Sequence, residues 1–185
     1  MPALETPAVE LGSKPPAFDL LGTDGKRYTL DDVRGPNGTL VMFICNHCPF
    51  VKAIMGKLVR EANALADLGI GTVAISANDA IAYPEDSYEN MQKVAAEQGF
   101  PFPYLYDDTQ EVAKAYGAVC TPDFFGYNAD DTLQYRGRLD ESRRDHVPDA
   151  KRELYEAMKQ IAETGVGPAQ QVPSIGCSIK WRDAA

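Results

Sequence analysis

The apolar positions of this chain change period several times, and each change marks an element. Residues 18–21 and 27–30 flank Gly22-Thr23-Asp24-Gly25-Lys26, which predicts two short strands around an Asp-Gly turn. Residues 39–44 are continuously apolar, the composition of a parallel strand covered on both faces. The period then lengthens. Phe50, Val51, Ile54, Met55, Leu58, Val59, Ala62 and Leu65 lie on one stripe, predicting a helix from Pro49 to about Leu68 that Gly69 and Gly71 end. Residues 72–76 read as the next strand. Asp86 with Glu89 three residues on reads as a capping box opening a helix through Ala96. A short strand at 102–106 and a helix at 109–116, stopped by Gly117, follow. Strands at 124–127 and 133–138 are joined by Asn128-Ala129-Asp130-Asp131-Thr132 as a second hairpin. A last helix runs from about Asp149 to Glu163, with Leu154, Ala157, Met158, Ile161 and Ala162 on one face.

Alternating strands and helices followed by an antiparallel pair indicate a mixed α/β sandwich. The 185 residues suit a single domain, 1–185, with 1–12 as a loose arm and 165–185 as a C-terminal tail. A chain of this size buries about 70% of its unfolded surface and needs neither disulfide nor metal to fold. Its 18 basic and 27 acidic side chains give a net charge of −9, which argues against a nucleic-acid partner. The densest basic group, Arg136, Arg138, Arg143 and Arg144, is interleaved with Asp140, Glu141 and Asp145. No apolar run approaches the roughly 18–20 residues of a membrane span. Residues 1–12 carry Glu5 and Glu10 rather than a basic-then-apolar leader, so a cytoplasmic protein without a membrane partner is expected.

Four cysteines change the picture: Cys45, Cys48, Cys120 and Cys177. In a cytosolic domain a close pair points to redox or metal chemistry more than to a structural staple. Cys45-Asn46-His47-Cys48-Pro49 sits where a buried strand meets a helix. There, free backbone N–H groups and the positive end of the helix dipole stabilise a thiolate. Such positions lower a thiol from about 8.5 to roughly 3.5–7.5. His47 adds a polarisable group beside the sulfur. Inert core cysteines are the plainer alternative. A zinc site would need two further ligands, and only His47 and His146 offer imidazoles, so neither metal nor cofactor is expected.

Strand, C-x-x-C and helix, followed by Val119-Cys120-Thr121-Pro122-Asp123-Phe124, resemble the thioredoxin fold. That resemblance implies a mixed central sheet flanked by helices, with the N-terminal hairpin and C-terminal tail added. It also implies a cis Pro122 facing the dithiol, with the Thr121 backbone offering a strand-like edge to substrate. Lys14-Pro15-Pro16-Ala17-Phe18-Asp19-Leu20, the Asp24-Gly25 turn and Cys48-Pro49 resemble the alkyl hydroperoxide reductase/thiol-specific antioxidant (peroxiredoxin) branch. Tyr83-Pro84-Glu85-Asp86-Ser87, Tyr135-Arg136-Gly137-Arg138-Leu139-Asp140 and Gly176-Cys177-Ser178-Ile179-Lys180-Trp181 resemble its peroxiredoxin-like thioredoxin-family subgroup, over about residues 12–182. The departures are specific. With Cys48 taken as the peroxidatic cysteine, Val41 and Cys45 stand where peroxiredoxins carry Pro and Thr. Met42 and Ile44 lie where thioredoxins have a buried acid and a tryptophan.

Cys45 and Cys48 are therefore the candidate catalytic pair, supported by Asn46, His47, Pro49, Thr121 and Pro122. Pro49 at the first helical position makes Cys48 the N-cap thiol, which favours it slightly as nucleophile. The C-x-H-C pattern of disulfide oxidases and isomerases instead favours Cys45, with His47 stabilising its thiolate. Cys120 is placed near the dithiol and Cys177 as a remote resolving thiol; both also read as bystanders. Asp79, Glu85, Asp86 and Asp140 either line the cleft or are merely solvated. The leading reading is a thiol–disulfide oxidoreductase working through a mixed disulfide. A thiol peroxidase with Cys48 attacking peroxide is the second. A binding module or redox switch without turnover is the third. The implied partners are disulfides or peroxides and a reductant that the sequence does not identify.

Overall fold

The computed structural model describes residues 3–8 and 10–182; the remaining positions of the expected arm and tail lie outside the described residues. In chain order β1 (Ala3–Glu5) precedes the hairpin of β2 (Asp19–Gly22) and β3 (Arg27–Thr29). Gly25, at φ +82°, and Asp24, which accepts from the Lys26 N–H at 3.0 Å, close that turn. Helix α1 (Leu30–Val33) is capped by Asp32, which accepts from the Thr29 N–H at 2.8 Å. β4 (Gly38–Phe43) is buried at every position. Then come α2 (Pro49–Lys52), α3 (Met55–Ala66), β5 (Ile70–Ser76), α4 (Tyr88–Gln98), β6 (Tyr104–Tyr106) and α5 (Glu111–Tyr116). β7 (Cys120–Thr121), β8 (Asp123–Asn128), β9 (Leu133–Tyr135), α6 (Glu153–Thr164) and β10 (Ile175–Ser178) complete the chain.

The strands form a mixed sheet. One part runs β3-β2-β6-β5 and the other β4-β8-β9, with β5 and β6 parallel. The two parts lie side by side at β5 and β4, where the Ile44 N–H donates to the Ile75 carbonyl at 3.0 Å. β4 alternates across this sheet. Leu40, Met42 and Ile44 pack with Leu58, Met91, Leu154 and Met158, whereas Val41 and Phe43 pack with Val33, Ala113, Tyr116 and Phe125. Helices α3, α4 and α6 thus cover one face and α1 and α5 the other.

Several boundaries differ from the expectation, each for a local reason. The long helix after the dithiol is two pieces. Ile54, at φ −116° and ψ 10°, leaves the helical region as its N–H turns back to the Val51 carbonyl at 3.1 Å. Asp86 does not cap α4. Ser87 does, accepting from the Asn90 N–H at 3.2 Å, and Asp86 ends a 3₁₀ turn over Pro84–Asp86. β9 stops at Tyr135 because the Arg136 N–H donates to Gln171 Oε1 at 2.9 Å rather than to the ladder. Most consequential, part of the arm and part of the tail are strands. β10 pairs antiparallel with β1 (Ala3↔Cys177) and with β7 (Cys177↔Thr121).

Candidate active site

The β4–β8 register creates the site. Phe43 pairs with Asp123, which sets the residues before β8 beside the loop leaving β4. The peptide bond between Thr121 and Pro122 is cis, as the resemblance implied. Cys48 is the N-cap of α2, with Pro49 in its first turn, so the Val51 and Lys52 N–H groups reach the Cys48 carbonyl at 3.1 and 2.9 Å. The Cys48 sulfur lies 3.3 Å from the Thr121 carbonyl oxygen and the Cys45 sulfur 3.5 Å from Thr121 Oγ1. All four cysteines are free thiols. Cys45 and Cys48 are 1% and 0% exposed, and Cys177 is half-buried beside them in the same apolar cluster. Cys120 is buried, its sulfur 3.7 Å from the Pro122 carbonyl oxygen.

A carboxylate from 40 residues away organises the loop. Asp86 is fully buried, and its Oδ1 accepts from the Asn46 N–H at 2.8 Å while Oδ2 accepts from Asn78 Nδ2 at 2.8 Å. His47 Nδ1 lies 2.6 Å from the same Oδ2, off the hydrogen-bonding direction, and the imidazole stacks on Tyr83 at 5.9 Å. Asn46 locks the loop further. Its amide donates to the Glu85 carbonyl at 3.0 Å and accepts from the Tyr104 hydroxyl at 2.8 Å. Of the four acidic candidates only Asp86 brings its carboxylate to the dithiol loop. Glu85 contributes its carbonyl alone, Asp79 pairs with Arg182 at 3.7 Å, and Asp140 is buried against Lys57 and Ser142. The Cys45 sulfur, a His47 ring nitrogen and an Asp86 oxygen lie within 4.8 Å of one another, and among the described residues these three form the group that could hold a metal ion. Sequence counting missed the third ligand because Asp86 comes from the far side of β5.

The AhpC/TSA family matches residues 11–137. The chain belongs to the AhpC/TSA family. A conserved protein of Geobacillus kaustophilus, described as uncharacterized, is 51% identical over 100% of this chain and 99% of its own, with a TM-score of 0.94. A hypothetical protein from Sinorhizobium meliloti 1021 is 39% identical over 96% and 98%, with a TM-score of 0.91. The thioredoxin domain of a thiol-disulfide oxidoreductase from Bacteroides vulgatus is 20% identical over 84% and 99%, with a TM-score of 0.65, a likeness of fold. No match was found among curated proteins. The molecule is thus an AhpC/TSA protein on a thioredoxin-like fold. Among the described residues no helix is long and apolar enough to cross a membrane.

In this AhpC/TSA chain the buried sulfurs differ electrostatically. A hydrogen bond from Cys45 holds the Cys48 thiol down at about 4 against the cost of burial, and Cys177, the Thr121 hydroxyl and the Val51 N–H reinforce it. Cys45 is pushed well above its ordinary value by donating that hydrogen bond, then by burial and by the Asp86 charge. Burial, followed by its hydrogen bond to Cys48, raises Cys177 to about 11. Burial and the Asp123 charge raise Cys120, whose thiol faces the Pro122 carbonyl oxygen. Val41 faces the opposite core, and Cys45 supplies the hydrogen bond to Cys48.

Proposed function

We propose that this protein is a cytoplasmic thiol–disulfide oxidoreductase whose Cys45 and Cys48 open and close a disulfide, with Cys48 as the nucleophile. The observation that carries this reading is the pairing of Cys48, at the α2 N-cap with its thiol held near 4, with a protonated Cys45 hydrogen-bonded to it. In turnover the Cys48 thiolate attacks one sulfur of a substrate disulfide and expels the other as a thiolate. Cys45 then attacks the Cys48 sulfur, releasing the second substrate thiol and closing the enzyme disulfide. The proton leaving Cys45 has two acceptors within 4.8 Å, the imidazole of His47 and the carboxylate of Asp86. Thr121 positions both sulfurs, Asn46 holds the loop, and Pro49 starts the helix that faces the thiolate. The substrates are disulfides, and the enzyme disulfide is reopened by an external thiol reductant. Reduction of a chromogenic disulfide is the test. Loss in both Cys45→Ser and Cys48→Ser supports the reading, and full activity in either removes it.

One observation favours a second reading, thiol peroxidase: the AhpC/TSA match together with a low-pKa thiolate at the peroxidatic position. Here Cys48 would take one peroxide oxygen as a sulfenic acid, and Cys45 would condense with it, releasing water. Stopped-flow comparison of peroxide and disulfide on the reduced protein separates the two. Sulfenate trapped at Cys48 in Cys45→Ser, with faster peroxide than disulfide consumption, favours the second.

A further inference from the structure

Both sulfurs of the dithiol are buried to 1% exposure or less, yet exchange requires in-line approach of an external sulfur. The backbone edge beside the cis peptide, where an extended substrate would add as a strand, is already taken. β10 lies on β7 with Cys177 opposite Thr121, the residue whose carbonyl oxygen is 3.3 Å from the Cys48 sulfur. The fit is close: Gly176 rests on the Thr121 carbonyl, where a Cβ would find no room. Other contacts fasten the strand. Ser174 Oγ donates to the Pro122 carbonyl at 2.6 Å, and the Lys180 N–H donates to Asn78 Oδ1 at 2.9 Å, tying the tail to the residue that also holds Asp86. Cys177 is thereby the most accessible sulfur touching the dithiol, half-buried and packed in the same cluster as Cys45 and Cys48.

Resting on the dithiol reading above, we propose that β10 is a built-in substrate strand and that Cys177 is a third redox thiol, the port through which the buried dithiol exchanges with disulfides in solution. Cys177 attacks the external disulfide as its proton passes to the departing substrate thiolate, and a mixed disulfide remains on Cys177. Cys48 then attacks the Cys177 sulfur and expels the second substrate thiolate, forming a bond between Cys48 and Cys177. Finally Cys45 attacks Cys48, restoring Cys177 and closing the disulfide between Cys45 and Cys48. The proton released by Cys45 goes to the departing Cys177 thiolate, and the second substrate thiolate takes its proton from water. One disulfide is reduced to two thiols and two enzyme thiols are oxidised. The substrate class follows: small disulfides that reach a half-buried sulfur, rather than extended polypeptides that need the β7 edge.

The test mixes glutathione disulfide with the reduced full-length protein, quenches with acid over time and maps adducts by mass spectrometry. The first adduct in the wild type falls on Cys177. Cys45→Ser, which keeps β10 intact, accumulates a disulfide between Cys48 and Cys177. Cys177→Ser slows closure between Cys45 and Cys48 by about tenfold or more but reaches the same end state. Closure at the wild-type rate in Cys177→Ser, or a first adduct on Cys48, overturns the port and leaves the dithiol reading standing. Absence of any disulfide between Cys45 and Cys48 in the wild type brings down both.

Discussion

Cys48 and Cys120 are the same side chain at the same 0% exposure, both beside the Thr121–Pro122 segment, and their thiols shift in opposite directions. Cys48 stands at a helix start and collects hydrogen bonds from Cys45, Cys177, Thr121 and the Val51 N–H. Cys120 faces a carbonyl oxygen and the Asp123 charge. Burial raises both thiols, since it disfavours the charged form whatever the residue. The donors decide which becomes a thiolate. Thiolate formation here is a property of the hydrogen-bond inventory around a sulfur and not of its accessibility.

Five experiments bear on that contrast. Cys48→Ser and Cys45→Ser reduce disulfide turnover about a thousandfold, equivalent to about 4 kcal/mol, in a steady-state assay. Arg136→Met removes the partner of the buried Asp123, bonded at 2.9 Å, and lowers stability by about 3 kcal/mol or more in chemical denaturation. The same variant leaves the Cys48 thiolate midpoint near 4 by ultraviolet titration; a shift there would mean that the two sides are coupled. Asp86→Asn lowers stability by about 1–3 kcal/mol and brings the Cys45 thiolate in at lower pH, because a charge that raises it is gone. Cys120→Ala costs about 1 kcal/mol, the scale of one buried methyl-sized group, and turnover stays at the wild-type level.

The last effect is on pH dependence. The Cys48 thiol is lower folded, at about 4, than its ordinary 9.0, so its stabilisation is present above 9 and is lost as pH falls toward 4. Cys45 and Cys177 are raised above 9.0, so their stabilisation is present below 9 and is lost as pH climbs through their folded values. Thermal melts of the reduced protein, referenced to the oxidised one, therefore gain with pH from 5 to 8 and decline beyond about 9. Each kcal/mol reads as about 2–4 °C.

Local chemistry made much of this legible in advance. The unbroken apolar run of β4, the Asp-Gly turn of β2 and β3, and Pro49 directly after Cys48 each specify their own geometry within a few residues. Pro122 was reached through resemblance, and β8 delivers it to the dithiol by register. Long-range partnerships were less legible. Asp86 has the position and chemistry of an N-cap, and only Ser87 taking that role one residue later frees its carboxylate for Asn46. β1 and β10 carry three and four residues, too few for a period, and join across nearly the whole chain. The break at Ile54 has no proline to announce it.

Gly176 draws these threads into one position. With the Thr121 carbonyl seated where its Cβ would stand, even alanine there must push β10 outward. A single methyl group therefore separates a closed-edged protein from one with an open strand register beside its thiolate. Drift or design at residue 176 would change what kind of molecule this scaffold can receive before it altered any sulfur.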